Sequence, residues 1–73
     1  MVLRIGRCRL SEHLRRNNMT QTDFAKRMNI SNTMVSKIIN NEKIFSLVRC
    51  KQAAVILDCK IDDLYEWIIG DEL

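Results

Sequence analysis

The chain has no proline and only two glycines among its 73 residues, and only four aromatic side chains. An all-β fold assembled from many tight turns needs far more turn-forming residues than that, so a helical domain is expected. Long apolar runs are also missing. The longest is Ala53 to Leu57, five residues, against the roughly 20 needed to span a bilayer as a helix. The start, MVLRIGRCRL, breaks its apolar residues with arginines and lacks the continuous apolar region of a signal peptide. The expected address is the cytoplasm, with no membrane partner. The three cysteines, Cys8, Cys50 and Cys59, form no CxxC pair, and the single His13 has no partner at ligand spacing. Neither a zinc site nor a disulfide framework is expected. One histidine, no Gly-rich loop and no metal-ligating cluster leave no chemistry to run, so no enzyme and no cofactor is expected.

A further absence is local. No acidic residue stands between Asp23 and Glu42. Net charge is only +3, but residues 1–51 hold eleven Lys/Arg against three acids, whereas residues 52–73 hold one lysine against six acids. One surface suited to a polyanion and one turned away from it are implied.

The residues present read as five short helices in one domain over 1–73, with 1–9 as a short N-terminal strand or arm, 10–66 as a helical core and 67–73 as a C-terminal tail. Leu10 and Leu14 make an i, i+4 core pair over 10–17. Thr20 and Asp23 have the spacing of a capping box, and Met19 and Phe24 that of a hydrophobic staple, for a helix over 21–28. Ser31 caps a third helix over 32–40, and Asn29 and the Asn40-Asn41 pair supply helix stops. Ser46 caps a fourth over 47–57, with Leu47, Cys50, Ala53, Ala54 and Leu57 on its inner face. A fifth helix is expected over 61–69, with Asp62 and Asp63 in its first turn, where negative charge suits the helix dipole. Asn32, Thr33, Ser36, Lys37 and Asn40 share one face of the third helix, opposite Val35 and Ile38. Amides, hydroxyls and a lysine without carboxylates are the groups a helix in a DNA major groove requires. Met34 borders this face as an edge of the core.

Thr20-Gln21, Phe24-Ala25, Ile30-Ser31, Val35-Ser36-Lys37-Ile38 with Asn40, Ser46-Leu47, Ala54, Leu57 and Ile61-Asp62-Asp63-Leu64 together resemble the Cro/repressor-type (xenobiotic-response-element-type, Cro/C1-type) helix-turn-helix regulators. The resemblance runs over roughly residues 10–66 without a gap. Asn29, Asn41 and Asp58 stand where that family usually carries glycine. Phe45 replaces a usual proline, Ile39 a usual glutamate and Glu42 a usual lysine or arginine. The resemblance implies an all-α, compact repressor-like domain and a transcription regulator, a repressor, that binds double-stranded DNA. It implies base contacts from Asn32, Thr33, Ser36 and Lys37, and phosphate contacts from Gln21, Asn40 and Lys43. No small-molecule ligand is expected.

Two regions stay open on sequence. Arg4, Arg7, Arg9, Arg15 and Arg16 are either a phosphate-attracting arm or a solubilising surface. Tyr65, Trp67, Ile68 and Ile69, with Leu73 beyond, are either a homodimer or partner surface or, for Trp67, a side chain folded back on its own domain. A homodimer would place two recognition helices about 34 Å apart, in successive major grooves. The alternative function is a protein-interaction module, an antitoxin-like or anti-repressor partner that keeps the fold without reading DNA.

Overall fold

The computed structural model describes residues 1–70, in the order strand β1 (Val2–Cys8), helices α1 (Leu10–Arg16), α2 (Gln21–Met28), α3 (Asn32–Ile39) and α4 (Leu47–Ile56), a 3₁₀ turn (Ile61–Leu64) and strand β2 (Tyr65–Gly70). No helix among the described residues is long and apolar enough to cross a membrane.

All four helices stop in the same way. Each runs into a residue with positive φ, namely Asn18, Asn29, Asn41 and Asp58. The N–H of the following residue then reaches back to a carbonyl five positions earlier: Met19 to Leu14, Ile30 to Ala25, Glu42 to Lys37 and Cys59 to Ala54, at 2.8–3.0 Å. This is the Schellman arrangement, which satisfies carbonyls a helix end leaves unpaired. It usually employs glycine. Here asparagine or aspartate does the work, because a short polar side chain tolerates the left-handed region better than most, and both glycines lie elsewhere, in the strands.

The helix starts are equally local. Thr20, Ser31 and Ser46 accept hydrogen bonds from the backbone N–H of Asp23 (3.0 Å), Met34 (3.0 Å) and Arg49 (3.3 Å). The carboxylate of Asp23 accepts in return from the Thr20 N–H, completing the expected capping box and holding the Asp23 carboxyl below its ordinary pKa. The core beneath is built from Leu10, Leu14, Phe24, Val35, Ile38 and Leu64, with Ala25, Ala53 and Ala54 where helices approach closely. Phe24 is fully buried; truncating such a side chain to alanine costs about 3–5 kcal/mol.

Two expectations are corrected. The domain is not all-α, and there is no fifth helix over 61–69. After a single 3₁₀ turn the chain extends as β2 and pairs antiparallel with β1, Val2 opposite Gly70, Leu3 opposite Ile69, Arg4 opposite Ile68 and Ile5 opposite Trp67. Tyr65, Trp67, Ile68 and Ile69 are aromatic or β-branched and suit a strand once a partner exists. That partner lies some 60 residues earlier, so no local periodicity or hairpin turn announces it. The N-terminal segment is accordingly a strand, and residues 67–70 are not a tail; residues 71–73 of the expected tail, Leu73 included, lie outside the described residues. A further correction concerns α4. Leu47 points outward and is 78% exposed, while Phe45, in the preceding loop, takes the core position.

The sheet carries a bulge. Trp67 faces Ile5 but Tyr65 faces Cys8, so Gly6 and Arg7 together oppose Glu66. A Cβ on residue 6 would lie 3.1 Å from both the Cβ and the carbonyl oxygen of Glu66, which explains the glycine. Asn41, at the end of α3, clamps the bulge. Its Oδ1 accepts from the Cys8 N–H and its Nδ2 donates to the Gly6 carbonyl, both at 3.0 Å.

Candidate nucleic-acid interface

α2 and α3 meet at a turn closed by the left-handed Asn29 (φ 58°, ψ 45°) and by Ile30, which packs against the core. The turn brings the two helix N-termini together, and side chains join them. Gln21 Nε2 donates to the Asn32 carbonyl and Asn32 Nδ2 donates to Thr22 Oγ1, both at 3.3 Å. Thr22 had no assigned part on sequence. Its position in the first turn of α2, one residue from Gln21, is the signal that would have placed it here.

Along α3, Val35 and Ile38 are buried, and Asn32, Thr33, Lys37 and Asn40 are exposed; Ser36 is half-buried between them. Met34 is also half-buried and packs against the core, beside a cleft it shares with Ile38, Lys43 and Ile44. Four of the five polar residues assigned to the face are therefore open to solvent together. The face has no carboxylate in its first turn, and Lys37 lies in its last turn. Among the described residues no acidic side chain pairs with Lys37. Beyond α3, Lys43 is exposed, and its backbone N–H donates to the Lys37 carbonyl at 3.2 Å. The loop backbone thereby holds Lys43 and Asn40 at the C-terminal end of the face, with Gln21 and Thr22 at the N-terminal end. The residues expected on bases and phosphates are contiguous in space.

The arginine cluster is divided. Arg7 pairs with Glu12 (3.1 Å) and Glu66 (3.6 Å), and Arg9 pairs with Glu12 (3.2 Å). Glu12 is held below the ordinary carboxylate range chiefly by its hydrogen bond from Arg9. These arginines tie β1 to α1 at the surface, while Arg4, Arg15 and Arg16 are exposed without such ties among the described residues.

The expected partner surface is also divided. Tyr65 does not belong to it. Tyr65 is buried, 3% exposed, and its hydroxyl accepts from the Phe45 N–H at 3.3 Å. The phenol therefore faces the interior, where desolvation raises its pKa. Trp67 folds back on its own domain in part. Its Nε1 donates to the Asp62 carbonyl (3.0 Å) and its ring meets Tyr65 edge-on, yet 41% of it stays exposed. Ile68 and Ile69 are exposed. His13, read as isolated on sequence, is buried and bonded through Nε2 to the Asp63 carbonyl at 2.8 Å. It fastens α1 to the 3₁₀ turn. The cysteines are free thiols, two of them buried, with pKa values raised mainly by desolvation.

A helix-turn-helix family model matches residues 10–64 of the chain. Among solved structures, the chain is similar to the transcriptional regulator VanUg, with a TM-score of 0.70 at 17% identity, over 96% of this chain and 92% of that one. It is also similar to SinR, a master regulator for biofilm formation solved in complex with DNA, with a TM-score of 0.69 at 16% identity, over 77% of this chain and 90% of that one. No curated protein matches.

Proposed function

Because the chain belongs to the Cro/C1-type helix-turn-helix family of DNA-binding transcription regulators, we propose that it is a sequence-specific repressor that inserts α3 into the major groove of its operator. In this reading residues 1–73 act as one domain, and the protein binds as a homodimer that blocks transcription by occupancy. The observation that carries the reading is the open, carboxylate-free face of α3.

Each residue has a chemical part. Asn32 offers an amide that can pair with adenine N6 and N7, Lys37 donates to guanine O6 and N7, and the Thr33 methyl packs on a thymine methyl. Ser36, half-buried, supplies a short hydroxyl where the helix comes nearest the bases. Gln21, Asn40 and Lys43 bind phosphates on either side and set the register, without carrying sequence information. For Asn32 and Gln21 this means exchanging their bonds to Thr22 and to the α3 backbone for bonds to DNA. SinR, a protein of the same fold solved in complex with DNA, supports DNA as the partner.

The test is a titration of DNA selected from random sequence, with wild type and Lys37→Ala. Loss of a base contact is expected to weaken binding by about 1–3 kcal/mol and relax preference at one position of each half-site. Affinity should fall steeply with salt for both proteins. Equal affinity and equal preference for the two proteins would remove α3 from the interface.

A further inference from the structure

The loop between α3 and α4 carries Lys43, and both of its ends are fastened to the sheet. At its start, the Asn41 amide bonds to β1 as a peptide group of a neighbouring strand would. Its Oδ1 accepts from the Cys8 N–H and its Nδ2 donates to the Gly6 carbonyl, both at 3.0 Å. At its end, the Phe45 N–H donates to the Tyr65 hydroxyl of β2 at 3.3 Å, and the two rings meet edge-on with centroids 6.5 Å apart. The loop thus has one anchor on each strand, and Lys43 stands midway, exposed, between Asn41 and the buried Phe45. A glycine at position 41 would end α3 equally well but has no side chain to reach β1, and a proline at position 45 would have no N–H to give Tyr65. Glycine and proline are the residues that the family resemblance leads one to expect at these two places.

A lysine that binds a phosphate gives back part of the gain in ordering its own side chain and the loop that carries it. A loop already fixed in the free protein avoids the second part of that cost. On the α3 side this loop is held by one carbonyl, that of Lys37, which accepts from both the Glu42 and the Lys43 N–H at 2.8 and 3.2 Å. The remaining order comes from the sheet. Order matters here because Glu42 and Lys43 are adjacent, oppositely charged and both exposed, and a carboxylate turned toward a phosphate would repel it. We infer that Asn41 and Tyr65 are positioning residues for DNA. Through the sheet they fix the α3–α4 loop so that the Lys43 ammonium, and not the Glu42 carboxylate beside it, meets the phosphate. This role presupposes the DNA-binding reading of α3. It gives the two-stranded sheet a part in binding that requires no contact of its own with DNA, and it leaves the base-reading residues of α3 as they are.

The experiment titrates DNA selected from random sequence over a range of salt, with the full chain, at a temperature where circular dichroism shows every variant folded. Lys43→Ala is expected to lower affinity about tenfold and the salt slope by about 1. Asn41→Gly and Tyr65→Phe are each expected to weaken binding about threefold, and the pair about tenfold, with base preference unchanged. In the Lys43→Ala background the pair should weaken binding less than about twofold, because residues that act through one contact are not additive. Asn17→Ala also gives up two side-chain hydrogen bonds, to the His13 and Leu57 carbonyls; it controls for lost stability and should bind as wild type does. The same loss with and without Lys43, an equal loss in Asn17→Ala, or a changed base preference in the anchor variants would each overturn the inference. Full affinity in Asn41→Gly/Tyr65→Phe would overturn it and leave the DNA-binding reading standing. A wild-type chain that binds no DNA at any salt would remove that reading and the positioning role with it.

Discussion

Replacing Asn41 with glycine separates two effects that normally travel together at a helix end. Asn29 and Asn41 both end a helix of the helix-turn-helix unit, with φ of 58° and 62°. At either site glycine relieves a left-handed strain of about 1–2 kcal/mol, and loses about 0.4–1 kcal/mol of that by loosening the unfolded chain. The net gain is about 0.5–1 kcal/mol. The Asn29 side chain bonds nothing among the described residues, so Asn29→Gly should keep that gain. Asn41 makes two hydrogen bonds to the bulged strand, each contributing about 0.5–1.5 kcal/mol, and its removal leaves the part-buried Cys8 N–H unpaired at a further cost of about 1 kcal/mol or more. Asn41→Gly should therefore destabilise by about 1–3 kcal/mol net. For a domain of this size each kcal/mol moves Tm by about 4–8 °C, so the two variants should move in opposite directions in a thermal melt followed by circular dichroism. Amide exchange at Cys8 should accelerate only in Asn41→Gly. A melt in which Asn41→Gly equals or exceeds Asn29→Gly would show that the clamp contributes nothing and that Asn41 is merely a poorer glycine.

Two further outcomes follow from the helix starts. Ser31→Ala removes the cap on α3 and should cost about 1 kcal/mol of stability while weakening operator binding, which a urea melt and a DNA titration on the same sample would show; unchanged values in both would contradict the cap at Met34. Asp23 and Glu12 both have folded pKa values below their ordinary ones, through hydrogen bonds from Thr20 and Arg9. A depressed carboxyl pKa adds stability that is full above the unfolded value and is lost as pH falls through the folded one. Stability should thus be level above about pH 5 and decline below about pH 4, with a shallower decline in Asp23→Asn; an acid profile identical to wild type would exclude the capping carboxylate as a contributor.

The helix-turn-helix unit was legible because everything that makes it is local. Thr20, Ser31 and Ser46 cap helices within three residues of themselves. Asn29, Asn41 and Asp58 turn the chain through their own φ, and Phe24, Ala25, Val35 and Ile38 fall on the inner faces that helical spacing assigns them. The polar face of α3 followed from the same spacing. Thr22 was missed because its bond to Asn32 crosses the turn between two helices, and spacing within one helix does not register such pairs.

By itself, then, the amino-acid order determined four helices, their ends, the surface of α3 and the family to which the chain belongs. Only the tertiary structure decided that Tyr65 to Gly70 is a strand, because its partner, Val2 to Cys8, lies at the other end of the chain and both segments are ambiguous alone. The same long-range pairing buried Tyr65, gave Gly6 its bulge and turned Asn41 from a substitute for glycine into a bond between the sheet and the end of α3. Strand pairing depends on which two segments meet in space, and that information is carried by the folded chain as a whole, not by any stretch of it.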